Sequence, residues 1–298
     1  MNDAHDYPLG YSDQEARRLA EQGALLEDLT QDMLRRAGLQ PGMHVLDIGC
    51  GVGDVSLLAA RMVGPEGQVL GIDRAASSVE TARRRARSLG VTNARFEEAD
   101  VTSFDSEQRF DAIVGRLVLL FLREPAGALR RLSRKLAPGG IMAFQEIDIP
   151  QMAQSPPSEL FMQVRRWIIE TFAAAGNELE MGSRLYSTFV RAGLPGPEMI
   201  AASGVGCGPK PFGHEYYAHV LRSLLPTAER YGITTAAQAG IDTLATRLLE
   251  DALANDRVTF LPRMVSAWTK SSPEGRNMRH VQSCSLVAHL EDADLSPM

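Results

Sequence analysis

The sequence predicts an open, doubly wound α/β sheet, and two patterns carry that expectation. From residue 43 to about 147, short apolar runs alternate with segments of helical spacing, the rhythm of parallel βαβ units. At the first strand-to-helix junction, Val45-Leu46-Asp47-Ile48-Gly49-Cys50-Gly51-Val52-Gly53-Asp54, an apolar run breaks at alternating glycines and resumes over Val55 to Arg61 with helical spacing. This reads as strand, tight turn and helix, the first unit of a nucleotide-binding sheet, with glycines that let a ligand press on bare backbone.

Ahead of the sheet, Ser12 is placed to cap a helix and Glu15 to complete a capping box. Leu19, Leu25, Leu26, Leu29, Met33 and Leu34 continue the helical pattern until Gly38 and Pro41-Gly42 end it. The alternation then predicts a strand over 43–48, a helix over 54–63, a strand over 68–73, a helix over 76–89, strands over 93–98 and 110–115, a helix over 124–137 and a strand over 140–147. Breakers fall where turns are needed, at Gly64-Pro65-Glu66-Gly67, Gly90 and Pro138-Gly139-Gly140. After Ile149-Pro150 the rhythm changes: Pro156-Pro157 marks a loop, 158–175 reads as helix, and Arg184 to Ala192 as a short helix closed by Gly193. Residues 198–205 read as β-like, 214–230 and 236–254 as helical, and Val258 to Thr269 as a final strand. The organisation expected is a helical arm over 1–37, a ligand-binding core over 38–150, remaining strands with helical insertions over 151–270, and a polar tail over 271–298 that is poorly ordered or loosely docked.

With 298 residues and 44% apolar content, the chain can bury the core of one large domain. Its 31 basic and 37 acidic residues leave a net charge of −6, so no global positive field favours nucleic acid or an anionic membrane. The densest basic stretch, Arg83-Arg84-Arg85 with Arg87, lies opposite an apolar stripe of Val79, Ala82, Ala86 and Leu89 and reads as a solvated helix face. Cys50, Cys207 and Cys284 are odd in number, far apart and without C-x-x-C spacing, which argues against a disulfide framework or a zinc site and suits a reducing cytoplasm. Met1 to Asp6 shows neither a basic n-region nor an apolar h-region, and the longest apolar run, Leu117 to Leu122, is far too short to span a bilayer. A cytoplasmic protein with no metal, membrane or nucleic-acid partner is expected, its oligomeric state open.

The glycine spacing is Gly-x-Gly-x-Gly rather than Gly-x-Gly-x-x-Gly, and Asp47 stands two residues before the first glycine. A pyrophosphate gains nothing from that carboxylate, whereas a ligand with an ammonium and a sulfonium does, which points to S-adenosylmethionine. Residues from about 40 to 150 resemble the catalytic domain of the class I S-adenosylmethionine-dependent methyltransferases, in the group that includes quinone and natural-product methylases. The family lays the backbone of the Asp47, Gly49, Gly51, Gly53 loop against the methionine part of the cofactor. Asp73, at the end of the next strand and followed by Arg74, matches the acid that accepts both ribose hydroxyls. In Ala99-Asp100-Val101, Asp100 matches the carboxylate that takes the adenine amino group, and Val101 packs on the ring. Gly115 and Arg116 end the strand that faces methionine and substrate, and Leu136-Ala137-Pro138-Gly139-Gly140-Ile141 matches the loop into the fifth strand. The resemblance implies a Rossmann-like doubly wound sheet of seven strands, mostly parallel with the last antiparallel, plus an N-terminal helical arm and helical lid insertions. Tyr7 and Tyr11 precede the arm helix, where related enzymes fold a segment over the cofactor, so Tyr11 stands as a cofactor contact or a packing residue.

Methyl transfer needs mainly an aligned nucleophile in a dry pocket, and a base matters only if the nucleophile must first lose a proton. Candidate bases are Glu146 and Asp148 after the fifth strand, and His214 and His219 in the insertion. Either carboxylate is also a candidate ion-pair partner for Arg116, and Asp47 alternatively holds the glycine loop. The acceptor pocket is expected from residues 151–180 and 209–235, where Phe161, Met162, Trp167, Ile168 and Phe172 share one helix and Phe212, Tyr216 and Tyr217 open another, divided between core and pocket. The implied acceptor is small and largely apolar or aromatic, its methylated atom open. The Asn/Asp-Pro-Pro-Tyr/Phe element of amino-group nucleic-acid methyltransferases is absent after the fourth strand, where Gly115-Arg116-Leu117-Val118 stands. The alternative is a protein of this fold that binds S-adenosylmethionine but catalyses another reaction or serves as a non-catalytic partner; a dehydrogenase is disfavoured by the loop spacing and Asp100.

Overall fold

The computed structural model describes residues 7–10, 13–208 and 214–271. Tyr11, the Ser12 cap, Phe212, Cys284 and the expected tail beyond residue 271 lie outside them, as does the side chain of His214. Helix α1 (Asp13–Ala37) leads into β1 (His44–Ile48), α2 (Asp54–Val63), β2 (Gln68–Asp73), α3 (Ala76–Ser88), β3 (Ala94–Glu98) and β4 (Phe110–Arg116). Then come α4 (Pro125–Ser133), β5 (Leu136–Asp148), β6 (Ala153–Ser155), α5 (Glu159–Ala174), α6 (Met181–Ala192), β7 (Glu198–Ala202) and β8 (Val205–Gly206). The remainder is α7 (His214–Arg230), α8 (Ala236–Ala239), α9 (Ile241–Ala254), β9 (Val258–Phe260) and β10 (Arg263–Lys270).

Seven strands form one sheet in the order β3-β2-β1-β4-β5-β10-β7. β1 to β5 run parallel and β10, the last strand among the described residues, is antiparallel to both neighbours. The order reverses beside β1, so the crevice for a ligand lies where β1 and β4 end. Alternation along each strand divides the core between two faces. Val45, Val69, Ala112, Val114 and Trp268 pack under α1 and α2, while Leu46, Ile48, Ile72, Ile113 and Phe144 pack under α4 and α6.

Tertiary context moves several boundaries. The helix expected over 124–137 stops at Ser133, and β5 begins at Leu136, with the Pro138-Gly139-Gly140 breaker absorbed as a register shift against β4. The expected last strand breaks at Leu261-Pro262, because proline offers no amide to a ladder. Its first part, β9, instead pairs with β6 and β8 in a small antiparallel sheet that the sequence pattern did not reveal. The helix expected over 236–254 breaks at Gly240, which adopts φ 56°. Helix α1 is bound into the body at its C-terminal half: Thr30 Oγ1 lies 2.9 Å from Gln145 Oε1 of β5 and accepts from Arg116 Nη1 at 3.0 Å. Among the described residues no helix is long and apolar enough to cross a membrane.

Phe144 is fully buried on β5 and meets Phe189 of α6 edge-on, with ring centroids 6.1 Å apart. Phe144→Ala should lower the unfolding free energy by about 3–5 kcal/mol, read as a drop in urea midpoint at unchanged slope. A loss below about 1 kcal/mol would contradict a close-packed face at this point.

Candidate active site

A cavity of about 1090 Å³ opens above the carboxyl ends of β1, β2 and β4. Its floor is the glycine loop. Gly49 and Gly51 hold φ 62° and 53°, conformations that favour residues without a Cβ. At Gly51 an added Cβ would meet nothing within 4 Å, so bare backbone faces the cavity. Asp73 stands at the wall with Oδ2 accepting from Gly51 N and Oδ1 from Ala75 N, each at 2.9 Å. Burial pushes its carboxyl upward against those two bonds. Farther along, Asp100 takes both hydrogen bonds from Thr102 on Oδ1, at 2.6 Å each, and Val101 is buried beside it on the wall. Arg74 also lines the cavity.

Several expected residues stand behind this wall instead. Gly53 caps α2 at φ 91° and turns toward Ala82 and Phe96, and Gly115 makes room for Phe144 and Val118, whose atoms an added Cβ would meet at 2.7 and 3.0 Å. Asp47 points, like Val45, to the α2 face. Its Oδ2 accepts from Ser56 Oγ at 2.5 Å rather than from the loop amides, and its Oδ1 is buried without a partner. Burial, opposed by Ser56 and Arg116, pushes the Asp47 carboxyl up to about 7.

The carboxylates expected as bases are occupied elsewhere. Asp148 is fully buried, with Arg263 donating to its Oδ2 at 2.6 and 3.0 Å and Ser183 binding both of its oxygens. Glu146, also fully buried, accepts from the amides of Val118 and Leu119 at 3.0 and 2.7 Å. It thereby clamps the segment after β4, where Leu117 lies on the cavity wall at φ 53°, a conformation unusual for a non-glycine residue. Burial outweighs the amides and pushes the Glu146 carboxyl up to about 8. Neither carboxylate touches the cavity, nor does His219. Arg116 does line it, yet its partners are Thr30 and, at 3.8 Å, Asp54, not Glu146 or Asp148.

Asp54 was not legible as a site residue, although an acid directly after the third glycine was the available signal. It reaches the cavity wall, paired with Arg85 at 2.7 Å, and Gly23 of α1 leaves the space it fills. Arg85 also donates to Val52 O, so this member of the basic cluster holds the glycine loop rather than a solvated face. The roof comes from α1, α5 and α7. Ile168 and Phe172 line it, Trp167 does not, Phe161 is buried against Tyr217, and Met162 is exposed. Glu15, Arg18 and Gln22, spaced to share one face of α1, also reach the cavity, a stripe that the capping-box reading of Glu15 hid.

The strand order, the glycine loop and the acids ending β2 and following β3 define an S-adenosylmethionine-type α/β domain. A family model described as a methyltransferase domain matches residues 39–193, and the chain belongs to that family. It is 37% identical over 134 residues to trans-aconitate 2-methyltransferase of Methylobacterium nodulans, covering 45% of this chain and 48% of the relative. To 2-phytyl-1,4-naphtoquinone methyltransferase of Synechococcus elongatus it is 35% identical over 141 residues, covering 45% and 58%. The chain thus spans about half the length of the curated relatives it matches. Among solved structures, the [4+2]-cyclase SpnF aligns over 83% of this chain and 80% of its own, with a TM-score of 0.51 and 24% identity, a likeness of fold.

Because the folded state holds a proton on Glu146 up to about pH 8 while the unfolded chain releases it near 4.5, stability falls as pH rises through that window. Asp47, itself half-titrated near pH 7, adds a fall of the same sign, so across pH 7 to 8 Glu146 contributes the larger share of the decline and Asp47 the remainder. Unfolding free energy should decline there by up to about 1.4 kcal/mol per pH unit, and Glu146→Gln, which keeps an acceptor for the two amides, should flatten the decline. An equal slope in the variant would refute this assignment.

Proposed function

We propose that this chain transfers a methyl group from S-adenosylmethionine to a small, largely apolar or aromatic acceptor. The observation that carries this reading is a single cavity with a polar cradle at the strand ends that runs on into an apolar compartment under the arm and the insertions. The cradle fits the cofactor. Asp73 spends one lone-pair site per oxygen on backbone amides and keeps capacity for two ribose hydroxyls. Asp100 leaves Oδ2 for an adenine amino group, Val101 supplies an apolar face, and Gly51, beside Gly49 in the same left-handed turn, lets the methionine part lie on backbone. Arg116, whose hydrogen bond among the described residues is to Thr30 and whose ion pair to Asp54 is long, has guanidinium donors left for a carboxylate.

When bound, S-adenosylmethionine supplies a methyl group already activated by its sulfonium. The chain's own part is to orient the acceptor and exclude water. Ile147, Ile149, Met152, Ile168, Phe172 and Val220 line the acceptor side and keep it dry. The carboxylate on that side, Glu15, is held by Arg18, so alignment rather than a strong base is the contribution of the wall. Two relatives named for a small tricarboxylate and a naphtoquinone support a small-molecule acceptor. A cytoplasmic location, without nucleic-acid or membrane partners, belongs to the same reading.

Titration calorimetry should find binding of S-adenosylmethionine and S-adenosylhomocysteine and none of NAD. Asp73→Ala removes two charge-assisted hydrogen bonds of about 1.5–3 kcal/mol each, so affinity should fall at least about tenfold. Incubation with labelled cofactor and a metabolite extract should yield products heavier by one methyl group. A preference for NAD, or cofactor binding with no methylated product, would overturn the proposal.

A further inference from the structure

A buried polar chain crosses the roof of the cavity from the arm to α7. Tyr7 Oη donates to Glu15 Oε1 at 3.1 Å, and Arg18 grips both oxygens of Glu15 at 2.6 and 2.7 Å. Arg18 Nη1 donates to Gln22 Oε1 at 3.0 Å, and Gln22 Nε2 reaches Tyr216 Oη at 3.2 Å. The direction of this chain follows from chemistry. A guanidinium can only donate, so the oxygen of the Gln22 amide must face Arg18 and its NH2 must face Tyr216. Tyr216 is therefore the acceptor in that bond, and its own hydroxyl hydrogen is left to donate elsewhere. Among the described residues no acceptor takes it, and Tyr216 stands on the cavity wall beside Tyr217 and Val220, with Arg18, Glu15 and Arg116 acting on its phenol electrostatically. Its neighbour Tyr217 is the contrast, with a hydroxyl that donates to Phe260 O at 2.7 Å.

We infer that Tyr216 is the polar anchor of the acceptor site, donating a hydrogen bond to an uncharged carbonyl or hydroxyl oxygen carried by an apolar ring compound. The inference rests on the methyltransferase reading and specifies its substrate class. An apolar compartment gives a bound molecule little orientation, and one fixed donor supplies it. Gln22, Arg18 and Glu15 act through Tyr216 as positioning residues, since the bidentate ion pair fixes the guanidinium, the guanidinium fixes the amide and the amide fixes the phenol. The Glu15–Arg18 pair is internally neutralised, so Tyr216 itself is a neutral donor. Burial raises the Tyr216 phenol above its ordinary value, so the donor keeps its proton throughout the physiological range.

The test uses the protein loaded with S-adenosylhomocysteine and two probes of similar shape, 1-naphthol and 1-methylnaphthalene. The wild type should bind 1-naphthol about threefold to tenfold more tightly, the worth of one neutral hydrogen bond. Tyr216→Phe should erase that preference by weakening 1-naphthol while leaving 1-methylnaphthalene within about twofold, and Gln22→Leu should reduce the preference part of the way. A merely structural role would shift both probes together and leave their ratio unchanged. No preference in the wild type, no binding of 1-naphthol, or a ratio unaltered in Tyr216→Phe would overturn the inference. Failure of S-adenosylhomocysteine to bind the wild type would instead count against the methyltransferase reading, and with it this inference; Tyr216→Phe should leave that affinity within about twofold.

Discussion

The site rests on the carboxylate of Asp73. By accepting from Gly51 and Ala75 it ties the loop after β1 to the turn after β2. Cys50 N donating to Ile72 O and Ala99 N donating to Asp73 O extend the same seam, so three neighbouring strand ends share one rigid rim. A rim of this kind presents backbone and carboxylate to a ligand in fixed geometry, at no cost of ordering when the ligand arrives.

On this rim the rest of the cavity is assembled by burying polar groups in pairs. Thr30, Gln145 and Ser266 form one buried seam under α1, and the Tyr7 to Tyr216 chain forms another above the cavity. Thr227 Oγ1 donating to Pro8 O joins arm and α7 a second time. A buried ion pair such as Arg18–Glu15 contributes little net stability, because desolvation offsets attraction, but it tolerates few alternative geometries. Its value here is therefore orientation of the groups attached to it.

The same physics explains why carboxylates that looked suited to base catalysis are not placed for it. Glu146 and Asp148 occupy the end of the interior strand β5 and are fully buried, where any charge must be satisfied by the protein itself. Asp148 finds Arg263 and Ser183, and Glu146 finds two amides whose loop it holds in an unusual backbone conformation. Both stand behind the cavity wall. Asp47 does likewise, bonded to Ser56, and its parity on β1 points it to the α2 side of the sheet.

Local chemistry in the sequence determined the strand-turn-helix rhythm and the glycine loop, because turns, caps and short parallel units are set by neighbours within a few residues. Asp73 and Asp100 were picked out by the resemblance to the methyltransferase family, and both line the cavity. The helices at 54–63 and 214–230 and the strand at 68–73 fall where the periodicity places them. Only the tertiary structure decided which residues face the cavity. Asp54 and Gln22 reach the cavity while Asp47, Glu146, Trp167 and Gly115 do not, since that depends on the parity of a strand, the rotation of a helix and the partner lying across the gap. The small sheet of β6, β8 and β9 was invisible for the same reason: its strands are two or three residues long and are defined by pairing between segments some fifty to a hundred residues apart, not by any pattern within them.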